Sequence, residues 1–164
     1  MIASELKTAG LPKRNGVRPQ TIAGPLHLQY SGHGDPKYLN ELIKDVLAWP
    51  HIDVGSLSNE PANVVCFRLV EAAVSDESSA FLSPREFGRV HLSAPTIILG
   101  LPLKWAHWAI VGGWAEPHYL RSFGLMPAGA VVVYTPKDAA EQAICYLLFS
   151  KAYLFASKPV PEIA

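Results

Sequence analysis

The hydrophobic period of this 164-residue chain changes along its length, and that change limits the folds that it can adopt. Residues 36–49 repeat apolar side chains at i, i+3 and i+4, which predicts an amphipathic helix capped by Asp35 with Pro36 in its first turn. From residue 51 the period is two, between clusters of Ser, Asn, Pro and Asp. That pattern predicts strands over residues 51–57, 63–73, 85–92 and 96–99.

The remaining segments complete a mixed order of helices and strands. A first strand is predicted over residues 21–30, and a helix over residues 103–112 ends at two glycines. A strand over residues 130–134 precedes a last helix, which opens at Thr135-Pro136-Lys137-Asp138. This order predicts an α+β fold: a single compact domain in which two or three helices pack against a mostly antiparallel sheet.

The last predicted helix is apolar on nearly every face between residues 144 and 155. A helix without a polar face lies either at the centre of the core or against another subunit. Charged residues are also sparse, at 17% of the chain against about a quarter in an average protein. Together these features predict a homodimer.

The composition excludes several classes of protein. Fourteen basic residues balance fourteen acidic ones, so the chain is not a nucleic-acid-binding protein that acts through bulk charge. No apolar run is long enough to span a bilayer and the first residues lack the core of a signal peptide, so we expect a cytoplasmic protein with no membrane partner.

Cys66 and Cys145 lie in apolar runs without CxxC spacing, which predicts buried free thiols.

The first twenty residues differ from the rest in charge. Glycine and proline are interspersed there with one acidic and four basic side chains: Glu5, Lys7, Lys13, Arg14 and Arg18. We expect a flexible or loosely docked arm over residues 1–20, followed by the folded domain over residues 21–158. A solvated tail is the favoured interpretation, and a phosphate-binding segment is the alternative.

The strand predicted over residues 85–92 carries a candidate catalytic pair. Alternate residues of a strand share a face, so Arg89 and His91 are expected to point the same way with Phe87 beside them, and Glu86 to point the opposite way. A cation lowers the pKa of a neighbouring imidazole, which keeps it neutral and able to accept a proton near pH 7. The same pair could hold an oxyanion. The alternative is a solvated strand face on which Arg89 pairs with a carboxylate.

The turn after residue 112 offers a second candidate group. Two glycines end the predicted helix there, and Trp114, Glu116 and His118 follow within six residues. Trp114 supplies a flat apolar surface, Glu116 a charge and His118 a base. Such groups suit the wall of a pocket. The alternative is a packing tryptophan and a structural histidine bonded to the backbone.

Three motifs in this order resemble the luciferase domain of bioluminescent fungi and its bacterial relatives. They are Glu86-Phe87-Gly88-Arg89-Val90-His91, Gly113-Trp114-Ala115-Glu116-Pro117-His118 and Tyr134-Thr135-Pro136-Lys137. The family has a Glu-x-Ala-His-x-His strand, a Gly-Trp-Gly/Ala-x-x-His turn and a Tyr-Ala-Pro-Arg lead into its final helix. The resemblance covers residues 85–153. Fungal members carry an N-terminal membrane segment that is not seen here, so the chain is closer to the bacterial members.

The chain departs from the family at two histidines. Arg89 stands where the family has the first histidine of its His-x-His, and residues 96–99 lack a further histidine of the next strand. Only His91 and His118 match the family's histidines.

The resemblance implies an oxygenase that needs no metal or organic cofactor. Fungal members oxidise a hydroxylated styryl-pyrone with molecular oxygen, releasing carbon dioxide and light. We therefore expect a cofactor-independent oxygenase that acts on an enolisable aromatic or pyrone-like small molecule, with molecular oxygen as its second substrate. The alternative is a non-catalytic small-molecule binding domain that has lost part of the histidine cluster.

The expected roles follow from this chemistry. His91 acts as base or anion donor, Arg89 stabilises the enolate or peroxide anion, and His118 is the second acid or base. Four side chains complete the predicted substrate-binding set, with Trp114 as a stacking wall: Trp114, Phe87, Glu86 and Glu116. No metal ligand is predicted.

Overall fold

The structure, a computed structural model, describes residues 10–159 and is built on a five-stranded antiparallel sheet. Its strands lie in the order β3-β4-β5-β7-β6, so the last strand in sequence returns between two earlier ones. Two short strands, β1 and β2, form a separate antiparallel hairpin. The strands are β1 Thr21–Ile22, β2 Leu28–Gln29, β3 Val64–Arg68, β4 Glu86–His91, β5 Thr96–Gly100, β6 Ala115–Pro117 and β7 Ala130–Val133. The fold is α+β, as predicted.

Three α-helices occur within the described residues: α1 Pro36–Leu47, α2 Leu103–Val111 and α3 Ala139–Ala156. Asp35 caps α1 by accepting a hydrogen bond from the backbone N–H of Lys37 at 3.0 Å. Asp138 caps α3 in the same way through Glu141 N–H at 2.8 Å. These caps satisfy amide groups that have no partner within the helix. The helices predicted over residues 36–49 and 103–112 are therefore confirmed to within two residues at each end, and the last predicted helix begins at Ala139, directly after Asp138.

Helix α3 lies at the centre of the core. Its Leu148, Phe149 and Ala152 are fully buried, and the ring of Phe149 meets Phe67 of β3 edge-on at 5.2 Å. Helix α1 packs along its other side. The apolar circumference of this helix is thus covered largely by its own sheet and by α1, the first of the two arrangements that its sequence predicted.

Three predicted strands differ from the structure. The strand predicted over residues 63–73 ends at Arg68, and a 3-10 helix follows over Glu71–Ala73. Residues 51–57 do not form a strand, because Ile52 makes a single bridge to Leu69 and a 3-10 helix follows over Val54–Asn59. Within this turn, serine hydroxyls donate to backbone carbonyls three residues earlier, and such local bonds compete with a sheet ladder. The strand predicted over residues 21–30 is instead the β1–β2 hairpin, interrupted at Gly24 and Pro25.

Of the predicted arm over residues 1–20, the structure describes residues 10–20, which make hydrogen bonds to the rest of the fold; residues 1–9 lie outside the described residues. The backbone N–H of Arg14 donates to Gly112 O at 2.8 Å, and the indole N–H of Trp114 donates to Pro12 O at 2.6 Å. The segment is docked because it supplies and receives hydrogen bonds at the end of α2, which its charge pattern does not reveal.

Two further expectations can be compared with the structure. Cys66 and Cys145 are buried and unpaired, as predicted. Among the helices of residues 10–159, none combines the length and the hydropathy needed to cross a bilayer.

Candidate functional site

The sheet has one apolar face, which packs on α3, and one polar face. Paired residues of neighbouring strands share a face, so Cys66, Arg89, Ile98, Val132 and Glu116 form one row across the sheet. This row points away from the main core cluster. We call this side of the sheet the polar face; its charged, imidazole and thiol side chains are those of Cys66, Arg68, Glu86, Arg89, His91, Glu116 and His118.

A β-bulge in β4 sets which residues reach the polar face. Phe67 pairs with Gly88 and Arg68 with Glu86, so Phe87 is an extra residue between the two pairs. The Phe87 side chain is fully buried in the core and contacts Tyr153 of α3, with ring centroids 5.7 Å apart. Our placement of Phe87 beside Arg89 and His91 is therefore wrong.

The same bulge corrects the predicted position of Glu86, which lies on the polar face with Arg89. Its carboxylate accepts two hydrogen bonds from that guanidinium, from Nε and Nη2, both at 2.7 Å. Ser83 Oγ donates to Glu86 at 2.5 Å, and Arg68 lies 4.0 Å away. The hydrogen bonds to Glu86 raise the pKa of Arg89. Arg89 thus pairs with a carboxylate, the alternative that its strand position left open, and its charge is largely balanced by Glu86.

His118 is 2% exposed and directs an unpaired nitrogen into the protein. Its Nδ1 accepts a hydrogen bond from the backbone N–H of Leu120 at 3.1 Å, so the ring proton is on Nε2 in the neutral form. That Nε2 is buried and has no hydrogen-bond partner within residues 10–159. Burial, reinforced by the charges of His27 and Arg89, lowers the pKa of His118 to about 4. His118 is consequently a neutral imidazole at pH 7 that presents an unused N–H donor.

His91 has the same unusual property at the other end of the polar face. It is 7% exposed, and its Nε2 likewise lacks a hydrogen-bond partner among the described residues. Burial and the charge of Arg89 lower the pKa of His91, partly opposed by Glu86. The charges of His91 and Arg89 act on His118 as well, and the backbone of His118 continues the ladder to β7 by donating to Ala130 O at 3.0 Å. The structure therefore brings both histidines to one side of the sheet.

Glu116 anchors a hydrogen-bond network behind His118. Its two carboxylate oxygens accept from Tyr134 Oη at 2.8 Å, Thr21 Oγ1 at 2.7 Å and His27 Nε2 at 2.6 Å. Burial acts to raise the pKa of Glu116, but these hydrogen bonds outweigh it and lower the pKa to about 2. Glu116 is an ionised anchor whose oxygens are engaged by the protein, and its contact with a substrate stays a prediction.

His27 is a site residue that sequence reasoning missed. Its Nδ1 accepts from Tyr119 N–H at 2.9 Å, which leaves the proton on Nε2 for Glu116. Its ring lies 5.3 Å from that of His118. The backbone of His27 has a φ of 48°, a conformation that few non-glycine residues adopt and that clusters at functional sites. No local motif surrounds it, so only its long-range contacts identify it.

Trp114 is nearly fully buried in the structure. It packs within the core cluster and lines a cleft of about 640 Å³ at the start of α3, together with Ile144 and Leu147. The bond to Pro12 O described above holds its indole there. Its role as a stacking wall for a substrate stays a prediction, and the wall that the structure shows Trp114 to form is that of this cleft.

No family model matches the chain, and neither a curated protein nor a solved structure matches it. Within residues 10–159, no three or more His, Cys, Asp or Glu side chains are grouped so that they could hold a metal ion. Burial raises the pKa of Cys66 to about 12, so its thiol is protonated and is a poor nucleophile at pH 7.

Proposed function

We propose that the polar face binds a small enolisable molecule between His91 and His118 and activates it by proton transfer for reaction with molecular oxygen. The observation that carries this proposal is the pair of buried Nε2 atoms without hydrogen-bond partners. Nearly all buried polar atoms are paired, and leaving one unpaired costs about 1–3 kcal/mol. A ligand that bonds to both would satisfy these two atoms, which lie on one face of the sheet.

The two imidazoles suit different roles. The Nε2–H of His118 is a donor and favours an acceptor on the ligand, such as a carbonyl or an enolate oxygen. His91 is also neutral near pH 7, so in the tautomer with its proton on Nδ1 it accepts a proton at Nε2. Glu86 balances most of the charge of Arg89. Arg89 therefore acts through its electrostatic field and its fixed position more than as a free positive charge for the ligand.

The proposed reaction balances without another reactant. The substrate gives a proton to His91 and becomes an enolate, and the enolate passes one electron to molecular oxygen. The substrate radical and superoxide combine into a carbon–oxygen bond, and the peroxide anion takes the proton back from His91. The net change adds one O₂ to the substrate as a hydroperoxide. The resemblance to the luciferase domain of bioluminescent fungi supports this class of chemistry.

A second candidate function is non-catalytic binding of a small apolar molecule. The cleft lined by Trp114, Ile144 and Leu147 favours it, because its volume of about 640 Å³ lies in the range of small-molecule sites, roughly 300–1,000 Å³. In that case the polar face would stabilise the fold and the ligand would lie beside α3.

Oxygen consumption with a panel of hydroxypyrones and catechols tests the first function. We expect His91→Gln and His118→Gln to lower the rate about 100-fold or more, which is typical for the loss of general acid–base catalysis. His107→Gln is the matched control, because His107 is exposed on α2. Oxygen consumption that persists in both site variants contradicts the assignment. Saturable binding without oxygen consumption, lost in Ala140→Trp at the mouth of the Trp114 cleft, supports the second function.

A further inference from the structure

Basic residues near the start of the described chain line a small cleft outside the polar face. The cleft has a volume of about 200 Å³ and is bounded by Lys13, Arg14, Gly16, Arg18 and the last turn of α2 at residues 111–113. This is the space of about seven water molecules at roughly 30 Å³ each. Among the described residues, its lining includes three cationic side chains and no acidic one.

Arg14 is the buried member of this group. Its side chain is only 3% exposed. Nη1 donates to Val17 O at 3.1 Å, and Nε lies 3.5 Å from a carboxylate oxygen of Glu141. Nη2 is buried and has no hydrogen-bond acceptor within residues 10–159. The guanidinium also lies over the ring of Tyr134, 5.7 Å from its centroid. A buried N–H without an acceptor is costly, so Nη2 retains a donor that a ligand oxygen would satisfy.

The loop that carries these cations is held in place at several points. Gly112 O accepts the backbone N–H of Arg14 at 2.8 Å, and Lys137 Nζ donates to Asn15 O at 3.4 Å. Gly16 has a φ of 92°, which other residues rarely adopt. The turn that carries the cations is thus hydrogen-bonded to the end of α2 and to Lys137.

The charge balance around the cleft is positive. Glu141 is the acidic group beside it, and that carboxylate is already shared by Arg14 at 3.5 Å and Lys137 Nζ at 3.2 Å. Within the part of the chain that the structure describes, Lys13 and Arg18 have no salt-bridge partner. An oxyanion in the cleft would meet two uncompensated cations and the unpaired Nη2 of Arg14.

We propose that this cleft binds a phosphate group through Lys13, Arg14 and Arg18, either as inorganic phosphate or as the phosphate of a small metabolite. Two guanidinium groups and one flexible ammonium group line the cleft, and both kinds of group recognise phosphate oxygens. The site is separate from His91 and His118, so its failure would leave the proposed function of the polar face untouched.

Calorimetric titration of the full chain at low ionic strength tests the site, with inorganic phosphate and glycerol phosphate as separate probes. We expect saturable binding of at least one probe to a single site, and the tighter probe identifies the source of the phosphate. Lys13→Gln and Arg18→Gln should each weaken binding about fivefold or more, because both side chains are exposed and lie on the cleft. Lys44→Gln, at an exposed position of α1, should leave binding unchanged.

Arg14→Lys adds an independent test of the buried guanidinium. It retains a cation near Glu141 but removes Nη2, so phosphate binding should weaken, and thermal melting without phosphate shows whether the variant is folded. Absence of saturable binding of either probe overturns the proposal. Binding that is unchanged in the Lys13→Gln/Arg18→Gln double variant also overturns it.

Discussion

His91 and His118 are neutral at pH 7 because both are buried beside a positively charged group. Folding therefore excludes protons that the unfolded chain would take up. The pKa of His118 lies near 4 in the folded state and near 6.5 in an unfolded chain. Above pH 6.5 the imidazole is neutral in both states, so the full contribution of His118 to the free energy of unfolding is present. It is lost as the pH falls from about 6.5 to 4.

This linkage gives a prediction for His118. Between pH 7 and pH 4.5, the wild-type chain should lose about 2–3 kcal/mol more stability than His118→Gln, since the glutamine takes up no proton on unfolding. Urea unfolding at the two pH values measures the difference. Equal losses in the two proteins would show that His118 is not held neutral by burial.

Glu86 and Arg89 show how a single inserted residue changes the chemistry of a face. The bulge at Phe87 brings the carboxylate to the side of the guanidinium. Without that carboxylate, Arg89 would present a full positive charge beside His91. With it, the strand carries a rigid, nearly neutral ion pair, and the imidazoles become the groups that have unused bonding capacity.

Helix α3 illustrates how burial depends on position within one element. Leu148 is fully buried against the sheet, whereas Leu154 is 63% exposed six residues later. Both are leucines in the same apolar helix, and only their neighbours differ. A hydrophobic helix is thus not buried uniformly.

The two leucines provide a matched pair of variants. Leu148→Ala should lower the free energy of unfolding by about 2–5 kcal/mol, because it removes buried methyl groups and leaves a cavity. Leu154→Ala should change it by about 0.5 kcal/mol or less. Urea unfolding measures both. Comparable losses at the two positions would mean that α3 is packed differently from the structure described.

The molecule as a whole leaves apolar side chains on its surface at both ends of α2 and near the end of α3. Leu103, Val111 and Leu154 are all exposed, and the net charge of zero supplies little repulsion between copies. Exposed apolar residues together with a low charge favour association.

We therefore propose, as the sequence predicted, that the chain forms a homodimer in solution. Sedimentation equilibrium at micromolar concentration should give about twice the chain mass of 17.8 kDa. Leu154→Lys should shift the population toward the monomer, whereas Lys44→Gln should not. A mass of one chain at all concentrations contradicts the proposal.

Local signals account for the parts of this fold that were predicted correctly. Helices α1 and α3 are marked by Asp35 and Asp138 at their starts, and α2 by Gly112 at its end. Strands β4, β5 and β7 follow their apolar runs. Capping, hydrophobic period and turn residues act over a few positions, so the amino-acid order is enough to place these elements.

The composition of the site depends instead on contacts between distant residues. His27 meets Glu116 across 89 positions, and Trp114 meets Pro12 across 102. The prediction from strand alternation assumes regular pairing. The extra residue at Phe87 breaks that regularity and moves Glu86 to the face opposite the predicted one. Strand register and loop docking are chosen by packing in the folded chain, so the tertiary structure alone decided which side chains share the polar face with His91 and His118.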